Sequence, residues 1–170
     1  MNKQSSMRPH DIVILLKIAA KGDSTWLMKD LAQELEISAS EISEGINRCL
    51  LAGLISANKK TLMKSAMLDF LEHGLKYVYP QKPGAMVRGI NTAHSANPLN
   101  KTIHSNEHYV WPYANGKVRG QAIEPLHPSV PKACLRDAKL YELLALTDAI
   151  RVGKNREQNL AVAELKKRLC

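Results

Sequence analysis

Apolar positions in the first 75 residues recur at helical spacing, in runs separated by polar or glycine breaks. Ile12, Leu15, Leu16 and Ala19 fall at i, i+3, i+4 and i+7, which predicts an amphipathic helix over 9–20. Pro9 suits its first position, Asp11 its first turn and Gly22 a left-handed cap after Lys21. Residues 1–7 ahead of it are polar and read as frayed. A second helix is expected near 26–35, burying Leu27, Leu31 and Leu35, with Asp23, Ser24 and Thr25 as caps and Ala32 allowing a close crossing. A third is announced by Ser38 and Glu41, a Ser-x-x-Glu capping box that satisfies backbone donors in both directions. Its inward stripe is Ala39, Ile42, Ile46, Cys49 and Leu50, leaving Ser40, Ser43, Glu44 and Asn47 outward and Glu41 and Arg48 on the flanks. Gly45 costs about 1 kcal/mol against alanine in a helix interior, and close packing on the second helix is a reason for it. Gly53 stops this helix, and Leu54-Ile55 returns to the core or begins a strand.

The break Leu35-Glu36-Ile37-Ser38 is too short for the flanking helices to run antiparallel. That is the sequence form of a helix-turn-helix, whose second helix is presented outward to read DNA. Beyond Ile55 the pattern turns helical again over 61–73, with Leu62, Ala66 and Phe70 inward, Met63 and Met67 as core filler and Gly74 as cap.

From Tyr77 the pattern loses its period. Seven of the eight prolines and four of the nine glycines lie between 80 and 131. Five aromatic residues in 77–113 argue against disorder, so short strands tied by loops are expected. Tyr77-Val78-Tyr79 reads as a strand, and 110–119 as a hairpin turning on Asn115-Gly116, with Pro112 on an edge position. Helical spacing resumes over 140–152, capped by Asp137, with Leu140, Leu143, Leu144 and Ile150 on an apolar stripe. A last helix over 156–169 places Val162, Leu165 and Leu169 on one side. Joined at Gly153-Lys154-Asn155, the two make a helical hairpin that either docks on the main body or forms a dimer interface. The expected organisation is therefore mainly α with a small β component. A (winged) helix-turn-helix region spans 1–75, a Pro-rich loop and hairpin segment 76–135, and a C-terminal helical hairpin 136–170.

Leu31-Ala32, the turn Leu35-Glu36-Ile37-Ser38, Ser40, Ile42-Ser43, Ile46 and Gly53-Leu54-Ile55 together resemble the winged helix-turn-helix domain of MarR-type bacterial transcription regulators. The resemblance implies a cytoplasmic, dimeric DNA-binding regulator with a β-hairpin wing after Ile55. Two features depart from the pattern: Glu36 stands where glycine is common, and Glu41 and Glu44 make the presumed reading helix acidic. The wing, moreover, is shortened or missing. Over most of the chain, His73-Gly-Leu-Lys-Tyr-Val-Tyr-Pro80, Arg88-Gly-Ile-Asn-Thr-Ala-His-Ser95 and residues 140–153 resemble a family of small bacterial proteins of winged-helix type. That family is loosely associated with nucleotidyltransferase-type toxin–antitoxin pairs, and implies the alternative of an antitoxin or adaptor that binds a protein partner.

Charge shifts the emphasis away from the helices. The net charge is +8, which favours an anionic partner. Residues 1–60 carry 8 Lys/Arg against 7 Asp/Glu, whereas 61–135 carry 8 against 4 and 136–170 carry 8 against 5. Phosphate contacts are therefore expected largely outside the third helix. The candidate DNA-binding set is Ser38, Ser40, Ser43 and Asn47 near bases, with Arg48, Lys59, Lys60, Lys117 and Arg119 on phosphates; Asn47 can pair bidentately with adenine. Double-stranded DNA is the expected partner, with homodimerisation and no membrane segment. Cys49, Cys134 and Cys170 are scattered, as free thiols in a reducing compartment would be. His104 and His108 stand at i, i+4 without a third ligand at matching spacing, and His94 beside Ser95 lacks a nucleophile-elbow pattern. The repeated pairs Arg88-Gly89 and Arg119-Gly120 either cradle an anion or mark turns. With no phosphate loop, dinucleotide fingerprint or paired carboxylates, no cofactor, metal or enzymatic activity is expected.

Overall fold

The computed structural model of the protein describes residues 6–170, so the expectation for 1–7 falls mostly outside that range. The fold is mainly helical with one small three-stranded sheet. Helix α1 (Pro9–Lys21) is central, packed by α3 (Ala39–Leu51) and by α7 (Ala138–Val152). Every residue from His10 to Ile18 is buried, charged ones included, so α1 has no solvent face of the kind its periodicity predicts. Helix α7 is likewise buried from Leu143 to Arg151. The C-terminal helix α8 (Asn155–Leu169) folds back on α7 and also touches α4 (Lys64–His73), so the helical hairpin docks on the body of the chain. Apolar side chains of all these helices belong to one continuous core cluster.

Local rules and tertiary packing agree at some helix ends and conflict at others. Asp137 caps α7 as expected, its Oδ1 accepting from Leu140 N at 3.0 Å. Gly22 follows α1 at φ +60°, where a side chain would be strained. Helix α2 (Met28–Leu35), by contrast, starts two residues late and ignores Asp23, Ser24 and Thr25. Asp30 reaches back to accept from Leu27 N at 2.8 Å, and Trp26 is buried in place of Leu27, which is 54% exposed. The larger indole fills the core just before the helix begins. The expected strand at 77–79 is instead the end of a one-turn helix, α5 (Leu75–Val78), because Gly74 links it directly to α4. A short helix, α6 (Val130–Arg136), forms where only loop was expected.

After α3 the chain makes one tight reversal. Ile55 bridges Leu62 in antiparallel fashion, Ser56 N donates to Thr61 O at 2.8 Å and Met63 N to Leu54 O at 2.9 Å. Leu62 is therefore part of this bridge, and α4 begins only at Lys64. Its buried face is Met67 and Leu71, with Ala66 and Phe70 half-buried and Met63 largely exposed.

The sheet departs furthest from expectation. Strand β1 (Met86–Asn91) pairs antiparallel with β3 (Val118–Ala122) through its first half and with β2 (Tyr109–Pro112) through its second. Strands β2 and β3 then meet in parallel at Tyr109↔Gln121 and Val110↔Ala122, closing a miniature barrel. The expected 110–119 hairpin cannot form, since two strands antiparallel to a third run parallel to each other. Three glycines make the closure possible: a Cβ on Gly89 or Gly116 would collide with backbone of Trp111 or Gly89, and one on Gly120 would lie 2.6 Å from His108 O. Pro112 ends β2 on an exposed position, and Tyr113 N, the next donor, reaches Arg88 O at 3.1 Å.

Candidate nucleic-acid interface

Helices α2 and α3 are joined by residues 36–38, with Glu36 held at φ +53°, ψ +42°. This is the left-handed conformation that disfavours side chains other than glycine and, to a lesser degree, asparagine or aspartate. Helix α6 grips the turn from outside: Lys132 Nζ lies 3.0 Å from Glu36 Oε1, and Arg136 Nη2 donates to Glu34 O at 3.2 Å. Lys132 is the main reason the Glu36 carboxyl sits below its usual range.

Helix α3 begins at Ser38, whose Oγ accepts from Glu41 N at 3.2 Å. Only this half of the predicted box is present, so the reciprocal bond from Glu41 is withdrawn. Ser40, Glu44 and Asn47 are exposed, and Ser43 is half-buried, which is the outward set expected from the stripe. Ala39 is exposed rather than inward, and Leu51 at the far end of the helix is 71% exposed.

Arg48 requires correction. It is only 7% exposed, and its guanidinium grips buried Asp11 of α1 with Nε to Oδ2 at 2.7 Å and Nη2 to Oδ1 at 2.8 Å. His10 Nε2 lies 3.4 Å from Nη2, and Glu44 approaches Nη1 to 4.0 Å. An arginine spent in this way is a structural tie between α1 and α3 and leaves the phosphate-contact set. The same tie explains Gly45, which packs on α1 rather than on α2. A Cβ there would lie 2.8 Å from both Asp11 Oδ1 and Ile14 Cδ1. The advance signal of the tie is Gly45, read from the sequence as packing on α2, because nothing local distinguishes Asp11 from a helix-dipole aspartate.

Lys59 and Lys60 sit at the tip of the 54–63 reversal. Asn58 Oδ1 organises this tip, accepting from Lys60 N at 2.8 Å, from Thr61 N at 3.2 Å and from Ser56 Oγ. Lys59 takes φ +59°. Lys60 Nζ donates to Trp26 O at 3.0 Å and stands 4.1 Å above the Trp26 ring. Arg119 lies in β3 and Lys117 in the bend just before it, neither of them on a hairpin, and both are exposed.

Other residues singled out for chemistry have structural roles. His94 is buried, donates from Nε2 to Glu107 O at 2.8 Å and packs edge-on against Tyr109. Ser95 Oγ accepts from Tyr109 N at 2.9 Å, so the pair pins a strand end. His104 and His108 are exposed on a non-helical segment. Among the described residues, no three His, Cys, Asp or Glu side chains gather to hold a metal ion, and no helix is long and apolar enough to cross a membrane. Burial pushes the Cys49 thiol up to about 12 and raises that of Cys134 as well, which keeps both protonated.

No protein-family model matches the chain, and comparison with curated proteins and with solved structures returns no match.

Proposed function

We propose that the protein is a sequence-specific DNA-binding regulator of helix-turn-helix type, with α3 as its reading helix. One observation carries this: the outer face of α3 presents Ser40, Ser43 and Asn47 while its inner face is locked to α1 by Arg48 and Asp11. A rigid helix with short polar side chains outward can enter a major groove, and Asn47 can read adenine through N6 and N7. The reversal at 54–63 acts as a rudimentary wing, bringing Lys59 toward the phosphates.

The test is a gel-shift titration on the protein's own promoter over a salt series, preceded by in vitro selection from random duplexes. Affinity should fall with salt at a log–log slope of about −0.9 per neutralised phosphate. Asn47→Ala should cost about 1–3 kcal/mol on the selected site and little on random duplex. Unchanged discrimination in Asn47→Ala would remove α3 from the reading role.

A second function, binding a protein partner in the manner of an antitoxin or adaptor, draws on the exposed apolar side chains Tyr77, Val78 and Met86, which are 74%, 55% and 57% exposed. A stoichiometric partner co-purifying with the chain, lost on Tyr77→Ser, would favour it.

A further inference from the structure

The Arg-Gly pair occurs twice in the chain, and the fold brings the two copies into register. Strand β1 meets β3 with Arg88 directly opposite Arg119, while Val87 faces Gly120 and Gly89 faces Val118. Directly opposed residues of an antiparallel pair share one face of the sheet, with Cβ atoms roughly 4.5–5.5 Å apart. Lys117 stands just before β3, in the bend that follows Gly116. All three cations are exposed, and among the described residues none has an ion-pair partner.

Two like charges set opposite one another destabilise a strand pair. The usual remedy, an acidic residue diagonally across, is missing: Met86 and Gln121 occupy the next shared-face positions. The backbone geometry also leaves the arginines no alternative register, because Gly89 and Gly120 are packed against the Trp111 and His108 backbones. The glycines fix the register, and the register fixes the cation pair. An arrangement that costs the isolated protein stability and lacks an internal counter-ion is complete only with an anion from outside.

We infer that Arg88 and Arg119 form a cross-strand oxyanion site that holds a phosphodiester of a nucleic-acid backbone. Two guanidinium groups carried on directly opposed positions can each offer paired N–H donors to the non-bridging oxygens of a phosphate. Both arginines are exposed on an outer face of the sheet. Such a face gives little affinity for a single free phosphate in water, but adds up when one polymer brings many phosphates at once. The site is separate from α3 and reads no bases. It rests on the proposed function only for the identity of the phosphate carrier.

The experiment compares wild type, R88Q/R119Q and the charge-matched control K154Q/R156Q, whose residues are exposed at the start of α8. Each is titrated with a 16-base-pair random duplex across a salt series, and circular dichroism checks that all are folded. For R88Q/R119Q the dissociation constant should rise about tenfold, and the log–log salt slope should shrink by about 2, with no change in preference for the selected site. The control should match wild type. In 15N spectra the Arg88 and Arg119 Nε–H signals should move with duplex at micromolar concentration, and with inorganic phosphate only at tens of millimolar.

Equal binding by R88Q/R119Q and the control, with selection by Asn47 intact, would overturn the site and leave the α3 proposal standing. Movement of the Nε–H signals by phosphate in a protein that retains no duplex would retain the oxyanion site and overturn the nucleic-acid carrier together with the proposed function. Saturation by phosphate at low millimolar concentration would likewise reject the backbone as the ligand.

Discussion

Two buried carboxylate–guanidinium pairs organise the two halves of the molecule, and they do so differently. Asp11 and Arg48 lie 37 residues apart and make a two-pronged contact between α1 and α3. Asp148 and Arg151 lie one turn apart on α7, with Arg151 Nη1 2.9 Å from Asp148 Oδ1. Within a helix this second pair ties nothing by itself. Its importance comes from what the two residues collect from elsewhere. Asp148 Oδ2 accepts from Trp111 Nε1 at 2.6 Å and from Thr92 Oγ1 at 2.8 Å. Arg151 donates to Tyr79 O and Glu124 O, both at 3.1 Å. Burial pushes the Asp148 carboxyl up, against the opposing pull of Arg151, Thr92 and Trp111. The first pair orients one helix against another. The second gathers the sheet and both ends of the Pro-rich segment onto a single helix.

This difference predicts unequal costs. Asp148→Ala should do the greatest damage, since it leaves a buried indole N–H and a buried hydroxyl without their acceptor and the buried Arg151 guanidinium without its counter-charge. Loss of one partner of a buried pair costs on the order of 3–5 kcal/mol, and this case should lie at the top of that range. Urea unfolding at pH 7 should show either a large drop in midpoint or no cooperative transition, and near-ultraviolet circular dichroism should show Trp111 released. A stability loss below about 2 kcal/mol would mean that the sheet is held by apolar packing alone.

Arg48→Met comes next, at roughly 3 kcal/mol, because Asp11 keeps the Arg8 N–H at 2.9 Å as one remaining donor. The double variant R48M/D11L should recover most of that loss, as apolar replacements of whole buried pairs often do. Recovery of stability with loss of site-specific DNA binding would show that the pair sets the orientation of α3 rather than the stability of the fold. Gly45→Ala probes the same contact by steric pressure. Its Cβ must displace Asp11 or Ile14 by several tenths of an ångström, for a cost of about 1–3 kcal/mol despite alanine's better helix propensity.

The helices were readable from spacing because apolar periodicity is a local property, and α1, α3, α7 and α8 lie within a residue or two of their expected bounds. What spacing does not encode is which helix becomes central. The stripe of α1 predicts one buried face, yet α7, more than a hundred residues away, covers the other and buries Lys17. The outward set Ser40, Glu44 and Asn47 was accessible by subtraction. Arg48 was not, because its partner lies on another helix. Asn115-Gly116 is a strong local hairpin signal overruled by non-local closure. Gly89, Gly116 and Gly120 admit backbone crossings that no short window of sequence contains. The same is true of Arg88 opposite Arg119, where the repeated Arg-Gly pairs were visible and their register was not.

A third, half-buried junction sharpens the contrast and should give the smallest effect. Lys17 Nζ lies 2.6 Å from Asp137 Oδ2 and 3.0 Å from Glu34 Oε2, joining α1, α7 and α2. Burial lowers the Lys17 amine, but Asp137 and Glu34 more than offset this and leave it raised. Burial likewise raises both carboxyls, and hydrogen bonds from Lys17 and Lys21 bring them to a net lowering. Lowered carboxyls contribute stability that is fully present above their unfolded values near 4, and lose it as pH falls through the folded ones. The raised amine contributes below its unfolded value near 10.5 and loses that as pH rises through its folded one. Lys17 is therefore silent between pH 5 and 9. Burial, then His10 with its ring 5.7 Å away, lower the pKa of His127, and comparison with a variant lacking the imidazole separates its contribution from that of the raised Asp148. A lowered histidine leaves the unfolded state holding more protons, so stability should decline as pH drops through about 6.5. Urea midpoints from pH 8 to pH 3 should thus step down twice in wild type. His127→Phe should remove the upper step, and Lys17→Met should weaken only the one below pH 4. A single step shared by both variants would mean that the two junctions titrate as one unit, and that α1 transmits charge changes along its length.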